Sequence, residues 1–391
     1  MALRVLLVTT CRWIFAGRLV MAFRRAGCDV HLVCPPGHPA EHLRATGRVF
    51  PYRGLAPLRS IRAAIEASAP GLVVPCDDLA RTQLDQLWSI SSPGPLRSLL
   101  QLSFGNPEAG PLARSRNRLT TLARENGLPV PPGAPIASSA DLRRWIESQP
   151  PARTFPFVLK SDGSSGGIGV QIVQDSAQAP AALAKVGAPP LLARAVKRAL
   201  VNRDFTLLHP SLRRMRPAVS VQSFIPGHDA TLTVACWQGQ VLASICAEVL
   251  HSWEFKGPAS VVRIVDSPVM LHTAHTIAAR LGLSGICGFD FVVDDETGQP
   301  CLIEMNPRAT QTAHLQLGPG HDLPAALAAA ASGDPVPPAP AITSGDLIAL
   351  FPLEWERDAA SPWLNAAHHD VPWEEPSLML ACARARVKRA N

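Results

Sequence analysis

One stretch, residues 285–308, constrains the fold of this chain more than any other: GICGFDFVVDDETGQPCLIEMNPR. It contains two apolar runs, 286–293 and 301–305, that are rich in β-branched and aromatic residues. The residues between the runs include the Asp, Thr and Gly that turns favour. The pattern predicts an antiparallel β-hairpin whose turn is centred near Thr297.

A hairpin centred there places Asp290 opposite Glu304, with the two Cβ atoms roughly 5 Å apart. Asn306 lies two residues beyond Glu304 and shares its face. Two carboxylates in an apolar hairpin repel each other unless a cation lies between them. Carboxylate and amide oxygens suit Mg2+ or Mn2+, so we predict that Asp290, Glu304 and Asn306 bind a divalent metal. The alternative is a solvated hairpin whose acids point outward.

The metal residues also carry a family resemblance. The run IEMNPR, which ends at Arg308, and the position of Asp290 fourteen residues before Glu304 resemble the metal-binding hairpin of the ATP-grasp superfamily. The likeness is strongest to the carbamoyl-phosphate synthetase large subunit and to biotin carboxylase. Relatives often carry Gln or Glu where this chain has Asp290, and the D-alanine ligases carry Asp.

The resemblance implies an α/β fold with α+β lobes, in which an N-terminal Rossmann-like pre-ATP-grasp domain precedes a two-lobed ATP-grasp fold. It implies ATP as cofactor, together with two Mg2+ or Mn2+ ions. By the same resemblance, residues 1–112 are the pre-ATP-grasp domain, 113–225 the small lobe and 226–335 the large lobe. Residues 336–391 are expected to form a C-terminal extension that packs on the body.

Composition favours an enzyme over a nucleic-acid-binding protein. The chain has 391 residues, of which 47% are hydrophobic and 17% charged, as in compact proteins of two or three domains. A net charge of +6 would suit nucleic acid. However, aromatic residues make up only 5% of the chain and no nucleic-acid motif is present. We therefore expect no nucleic-acid partner and interpret the charge as suited to anionic nucleotides.

The cysteines and the hydropathy of the sequence indicate a cellular location. The nine cysteines are scattered with no C-x-x-C pair, which is typical of reduced thiols in a cytoplasmic protein. No apolar run approaches the roughly 18 residues that a membrane span requires. We therefore expect a cytoplasmic location and no transmembrane segment.

The first 112 residues have an α/β rhythm. Apolar runs at 5–9, 29–34 and 72–74 predict buried strands, and 17–26 predicts a helix. Because ligands of open α/β sheets bind at the carboxyl ends of strands, the residues there are candidates for substrate contact: Thr9, Thr10, Cys11, Asp77 and Asp78. Alternatively, one of the two acids caps the helix predicted at 79–88. No G-x-G-x-x-G follows the first strand, so the usual dinucleotide site is not expected.

Phosphate-binding residues are expected in the region that the resemblance assigns to the small lobe. A helix at 114–126 carries Arg118, which matches a phosphate-contacting Lys of the family, although a surface arginine without a role is the competing interpretation. A strand at 157–160 ends in Lys160, which matches the phosphate-binding lysine of the family. The glycine-rich loop SDGSSGGIG follows, and its backbone N–H groups and hydroxyls can approach phosphate oxygens. Its candidates for binding ATP are Gly163, Ser164, Ser165, Gly166 and Gly167, although such a loop alone is more often a flexible hairpin.

Residues 219–225 resemble the hinge between the lobes of ATP-grasp proteins. The resemblance implies that this segment contacts adenine through Gln222, Ser223, Phe224 and Ile225. Asp229 occupies the position where relatives place an acid for the ribose hydroxyls. Gln222 can accept a hydrogen bond from the adenine amino group, as the usual Glu does.

The segment 177–217 is rich in Ala, Pro and basic residues and has no assigned role. Its residues 191–201 predict an amphipathic helix with a basic face. Binding of an anion or a membrane surface is one interpretation. A solvated basic face on a variable insertion is the other.

The resemblance implies an ATP-dependent carboxylate–amine ligase that acts through an acyl phosphate and releases ADP and phosphate. Lys160 and Arg308 are its expected catalytic residues, and its partners are a small-molecule carboxylate and an amine. A homodimer is compatible with the sequence. The alternatives are a carboxylase or carbamoyl-phosphate-type enzyme that forms carboxyphosphate, and an ATP-binding regulatory protein without catalysis.

Overall fold

The computed structural model describes residues 2–150, 154–162, 169–202, 207–254, 257–335 and 341–390. The strands in these ranges form three sheets. The predicted phosphate-binding residues Gly163 to Gly167 lie outside the described residues.

The first sheet is four-stranded and parallel, with strand order β3-β2-β1-β4. Along β1, Leu6 and Val8 pack into one core and Val5 and Leu7 into another, because alternate side chains of a strand point to opposite faces. The sheet confirms the α/β rhythm predicted for the N-terminal residues. Its elements are β1 (Arg4–Val8), α1 (Phe15–Arg25), β2 (Asp29–Cys34), a 3-10 helix (Pro39–His42), β3 (Val49–Pro51), α2 (Pro57–Ser68), β4 (Leu72–Pro75), α3 (Asp78–Ile90) and α4 (Pro95–Phe104).

The second sheet is four-stranded and antiparallel, with strand order β5-β8-β6-β7. Its inner face buries Phe157 and Leu159 of the strand that ends beside the glycine-rich loop, together with Trp145. The elements of this region are α5 (Ala109–Ala113), α6 (Arg116–Glu125), β5 (Gly133–Ile136), α7 (Ser139–Ser148), β6 (Phe157–Ser161), β7 (Val170–Val173), α8 (Ala179–Val186), α9 (Leu192–Asn202), α10 (Leu208–Leu212) and β8 (Val219–Ser223).

The third sheet has seven strands in the order β13-β12-β9-β10-β11-β14-β15. Its strands pair antiparallel except for the last two. The elements are β9 (Gly227–Trp237), β10 (Gln240–Ser252), β11 (Ala259–Ile264), α11 (Pro268–Leu281), β12 (Gly285–Asp294), β13 (Pro300–Asn306), α12 (Leu323–Ser332), β14 (Leu347–Ala349), α13 (Leu353–Arg357), α14 (Trp363–Ala366), β15 (His368–His369) and α15 (Pro376–Ala390).

The two faces of the third sheet serve different cores. On one face, Ile277 of α11 packs with Val234 and Phe289 of the central strands. On the other face, Ala235 of β9 and Leu327 of α12 share a core with α1, the helix that follows the first strand of the N-terminal sheet. The third sheet is therefore fixed against the N-terminal sheet by a common hydrophobic core.

The C-terminal residues are part of this architecture. They supply β14 and β15 to the third sheet, and α15 buries Leu378 and Cys382 in the core shared with α1. The sequence also predicts a strand at 347–353. In the structure this strand, β14, ends at Ala349, close to Pro352, which has no N–H to donate to a sheet. The domain boundary predicted after residue 335 stays a prediction, and the third sheet continues across it.

The predicted hairpin is present with the predicted register. β12 and β13 pair antiparallel, and Asp290 lies directly opposite Glu304. The apolar runs 231–237 and 240–247 predict a second hairpin with Gln238 and Gly239 at its turn, and β9 and β10 form it. Both turn residues have positive φ angles, 49° and 86°. This is the backbone sign pattern of the two-residue turns that join twisted antiparallel strands.

Among the described helices, none combines the length and the apolar character needed to cross a lipid bilayer.

A glycine joins the N-terminal part of the chain to the third sheet. Gly105, at the end of α4, has a φ angle of 79° and forms an isolated bridge with Leu283, just before β12. A Cβ atom there would lie 1.9 Å from the carbonyl oxygen of Gly282. Gly298, in the hairpin turn, also has a positive φ angle of 67°, but a Cβ there would meet nothing within 4 Å.

This contrast predicts the effect of adding a methyl group. Gly298→Ala should cost only the backbone penalty of a positive φ angle, about 1–2 kcal/mol. Gly105→Ala should lower the midpoint of urea unfolding considerably more, because two backbone segments must also move apart. Equal midpoints for the two variants would show that the contact at Gly105 does not hold the fold together.

Candidate functional site

The two acids of the hairpin face each other beside a β-bulge. Beyond the Asp290–Glu304 pair, Phe291 pairs with Leu302, so that Ile303 is the additional residue of the bulge. A bulge of this kind changes the direction of side chains and is frequent next to active sites. The register of the two strands therefore holds Asp290 and Glu304 on one side of the hairpin.

Asp290 is held by neutral hydrogen-bond donors. Its Oδ2 accepts a hydrogen bond from Nδ2 of Asn306 at 2.8 Å, and its Oδ1 accepts one from Oγ1 of Thr231 at 3.3 Å. Burial, and secondarily the charge of Glu304, raise the pKa of Asp290 to about 6. The pair is thus destabilised by its own negative charge, and a cation near both carboxylates would relieve this repulsion.

The donor set fits a hard divalent cation. Two carboxylates and one amide oxygen from Asp290, Glu304 and Asn306 are oxygen ligands of the kind that Mg2+ and Mn2+ prefer. Within the described ranges, no group of three or more His, Cys, Asp or Glu residues is placed to hold a metal. A cation here would therefore complete its coordination with phosphate and water, as Mg2+ commonly does.

A cavity of about 380 Å³ lies beside the hairpin, between the second and third sheets. It is lined by residues of both sheets and by Trp13 of the N-terminal region. Most of the predicted site residues line it: Lys160, Gln222, Phe224, Ile225, Asp229, Asp290, Glu304, Asn306 and Arg308. The structure thus brings the predicted hinge, the buried lysine of β6 and the predicted metal residues to one cavity.

Two of the residues predicted to bind ATP, among those the structure describes, lie outside the cavity lining. Ser223 ends β8 and is not among the residues that line the cavity. Arg118 is exposed on α6 and does not line it either. Their proposed contacts with ATP stay predictions, without support from this geometry.

Arg116, which the sequence interpretation missed, occupies the place expected for Arg118. It is buried, lines the cavity, donates from Nη1 to the carbonyl oxygen of Ser161 and donates from Nη2 to Oε2 of Glu304 at 3.0 Å. Residues two apart on a helix point about 200° away from each other, so Arg116 and Arg118 cannot share a face. The apolar spacing of Leu119 and Ala123, which are buried on α6, was the signal that could have identified Arg116 as the inward arginine.

The N-terminal sheet contributes an acid to the same site. Asp78, the first residue of α3, accepts two hydrogen bonds from Arg308, from Nε at 3.0 Å and from Nη2 at 3.1 Å. Nη2 of Arg308 also donates to Oδ1 of Asn306 at 3.1 Å. The guanidinium is therefore held in a fixed plane next to the predicted metal residues.

The neighbouring acid has the capping role. Asp77 is the N-cap of α3 and accepts from the backbone N–H of Ala80 at 2.8 Å. It also accepts from the hydroxyls of Thr9 at 2.9 Å and Thr10 at 2.8 Å. These two acids were interpreted either as substrate contacts or as a helix cap, and Asp77 is the cap. Asp78 instead contacts Arg308, which lines the cavity.

The chain matches a known family over half its length. The family model described as an ATP-grasp domain matches residues 116–312, which is 197 of the 391 residues. The chain therefore belongs to the ATP-grasp family, as the hairpin residues predicted.

Solved structures confirm the predicted fold class. N5-carboxyaminoimidazole synthetase from Staphylococcus aureus, complexed with ADP, is 12% identical, with a TM-score of 0.57 over 86% of this chain and 80% of that chain. N5-carboxyaminoimidazole ribonucleotide synthetase from Thermus thermophilus is 16% identical, with a TM-score of 0.58 over 87% of this chain and 81% of that chain. Biotin carboxylase from Campylobacter jejuni, in a β-γ-ATP complex, is 15% identical, with a TM-score of 0.59 over 85% and 72%. No curated protein sequence matches the chain significantly.

From the facing positions of Asp290 and Glu304 we predict that loss of one carboxylate stops ATP turnover. Glu304→Ala should abolish ATP turnover in the presence of Mg2+ and leave the fold intact, because Glu304 lies at the surface of the cavity rather than in a core. Circular dichroism and an ADP-release assay would measure the two effects. Glu296→Ala, on the exposed turn of the same hairpin, is the matched control and should keep the parent rate. Turnover at the parent rate by Glu304→Ala would contradict the assignment of the metal site.

Lys160 predicts a separate effect on nucleotide affinity. Its side chain is buried and lines the cavity, and a charge-assisted contact with phosphate contributes about 1.5–3 kcal/mol. Lys160→Ala should therefore weaken ATP binding about tenfold or more, as measured by calorimetry. Lys185→Ala removes an exposed lysine of the same lobe and should bind ATP as the parent does. If Lys160→Ala bound ATP as tightly as the parent, Lys160 would not be part of the phosphate-binding site.

Proposed function

We propose that this protein is an ATP-dependent carboxylate–amine ligase that forms an amide bond through an acyl phosphate and releases ADP and phosphate. The observation that carries the proposal is the placement of Asp290, Glu304, Asn306 and Arg308 along one side of a cavity that Lys160 also lines. A protein that only bound ATP would not require this complete set of charged groups.

Nucleotide binding is divided between the two sheets. We assign adenine to the side chain of Gln222 and the backbone that follows it, the ribose hydroxyls to Asp229, and the phosphates to Lys160 and Arg116. Two Mg2+ or Mn2+ ions bound by Asp290, Glu304 and Asn306 would neutralise phosphate charge and orient the terminal phosphoryl group. Arg116 also pairs with Glu304, so this arginine orients the carboxylate as well as attracting phosphate.

Arg308 acts on the transferred group. As a substrate carboxylate attacks the terminal phosphorus, negative charge builds up on the phosphoryl oxygens, and a guanidinium beside them stabilises the transition state. Asp78 and Asn306 fix the plane of Arg308 before the substrate arrives. Less reorganisation is then required at the moment of reaction.

The cavity also protects the intermediate. An acyl phosphate is a mixed anhydride that water hydrolyses, so closure of the site over it favours attack by the amine. The structural relatives include a biotin carboxylase and two N5-carboxyaminoimidazole synthetases. A carboxylase that activates bicarbonate as carboxyphosphate is therefore the second candidate, and the identities of the acid and the amine distinguish the two.

Assembly and location remain proposals. One relative is described as a biotin carboxylase domain dimer from Hydrogenobacter thermophilus, which supports a homodimer for this chain. The nine cysteines are all free in the structure, and on this basis we propose a reducing, cytoplasmic environment.

The acyl-phosphate step predicts where oxygen atoms go. ADP release against a panel of carboxylates and amines would first identify a reactive pair. With that acid labelled by oxygen-18 in its carboxylate, one labelled oxygen should leave with inorganic phosphate when the amine displaces it. Unlabelled phosphate, or AMP and pyrophosphate as products, would eliminate the mechanism. ADP release that depends on bicarbonate would instead favour the carboxylase.

Arg308→Ala provides the complementary test. Because the guanidinium meets charge that develops chiefly in the transition state, the variant should lose much more in kcat than in ATP affinity. Arg263→Ala, an arginine of the same sheet that lies outside the cavity lining, is the control. If Arg308→Ala lost only ATP affinity, the role of Arg308 would be limited to binding ATP.

A further inference from the structure

The helices α9 and α10 expose an unusual number of large apolar side chains. We call this region the α9–α10 surface and define it by side chains that are 41–78% exposed: Leu191, Leu192, Val196, Leu200, Leu212 and Met215. α9 and α10 pack against each other, so these side chains belong to one substructure of the second-sheet region. None of them lines the cavity.

Helix α9 exposes large apolar side chains that an ordinary surface helix would bury. Leu192, Val196 and Leu200 follow each other at intervals of four residues and form one stripe, yet all three are exposed. The buried positions are instead the alanines Ala195 and Ala199. A surface helix of a globular protein normally turns its large apolar residues toward the core. The predicted amphipathic helix is therefore present, with the alanines of its apolar side buried and the large side chains of that side exposed.

The charge around the stripe is positive. Exposed basic side chains lie on α9 and directly after α10: Arg194, Lys197, Arg213, Arg214 and Arg216. Across 187–217 the sequence contains a single acid, Asp204. Any partner of the α9–α10 surface must accept leucine side chains and a high density of positive charge together.

This combination favours a lipid surface over a protein. A second copy would bring like charges together, which disfavours a symmetric contact. The core of a specific protein interface is typically rich in Trp, Tyr and Phe, whereas 187–217 contains one such residue, Phe205. A helix with Leu on one face and Lys or Arg on another is the type that lies in the plane of a bilayer surface, where anionic headgroups attract the basic residues.

We propose that the α9–α10 surface docks this protein onto a lipid bilayer that contains anionic phospholipid. Leu192, Val196 and Leu200 enter the interface between headgroups and acyl chains, and the arginines and lysine contact lipid phosphates. This binding goes beyond the proposed ligase reaction and does not depend on it. It places the enzyme at a membrane surface without a membrane-spanning helix.

Cosedimentation of the full-length protein with lipid vesicles tests the proposal. The protein should sediment with vesicles of phosphatidylcholine and phosphatidylglycerol, should remain in the supernatant with phosphatidylcholine alone, and should be released by salt. The double variant Leu192→Ser/Leu200→Ser should lose binding. Arg194→Ala/Lys197→Ala should weaken it about fivefold for each charge removed.

Matched controls separate this effect from general changes in surface properties. Leu55→Ser/Ile90→Ser removes two exposed apolar side chains of the N-terminal region and should bind vesicles as the parent does. ATP turnover and thermal unfolding of all variants should equal those of the parent, since no substituted residue lies in the cavity or a core. Failure of the proposed ligase activity would not alter the vesicle result.

Three outcomes would overturn the proposal. The first is absence of binding to anionic vesicles at low salt. The second is binding that Leu192→Ser/Leu200→Ser and Leu55→Ser/Ile90→Ser reduce equally. The third is a dimer, measured by light scattering, that dissociates in Leu192→Ser/Leu200→Ser while vesicles remain unbound, because a second copy would then cover the surface.

Discussion

The repulsion between Asp290 and Glu304 is the constraint on which the site depends. Their strands are paired on both sides of the bulge, so the two acids cannot move apart without breaking the hairpin. The raised pKa of Asp290, caused by burial and by Glu304, expresses the cost of this arrangement when no cation neutralises it. A cation near both carboxylates would therefore favour the charged form of Asp290.

Residues from all three sheets, or from a helix that follows one of them, surround Asp290 and Glu304. The second sheet brings Lys160, the third supplies the acids, and the helix that follows the first sheet's last strand supplies Asp78, which orients Arg308. The common core beneath α1 and α12 fixes the first sheet relative to the third. The N-terminal region is therefore part of the proposed catalytic site, because Asp78 orients Arg308.

Local patterns explain what the sequence could predict. Apolar alternation and turn residues fix a hairpin register, and the Asp290–Glu304 pairing followed from them. Arg116 was missed because the family match was applied to Arg118 without the helical phase of Leu119 and Ala123. The Asp78–Arg308 pair joins residues 230 positions apart, and contacts of this kind depend on tertiary packing that no local pattern contains. The last strand, β15, has only two residues and is too short to give a periodic signal.

The most direct measurement of the central claim is anomalous diffraction from a crystal of the protein grown with ADP and Mn2+. The account predicts Mn2+ peaks between the nucleotide phosphates and the hairpin, within roughly 2.0–2.3 Å of oxygens of Asp290, Glu304 or Asn306. Nucleotide bound in the cavity with no Mn2+ at the hairpin, or Mn2+ held by other residues, would contradict it.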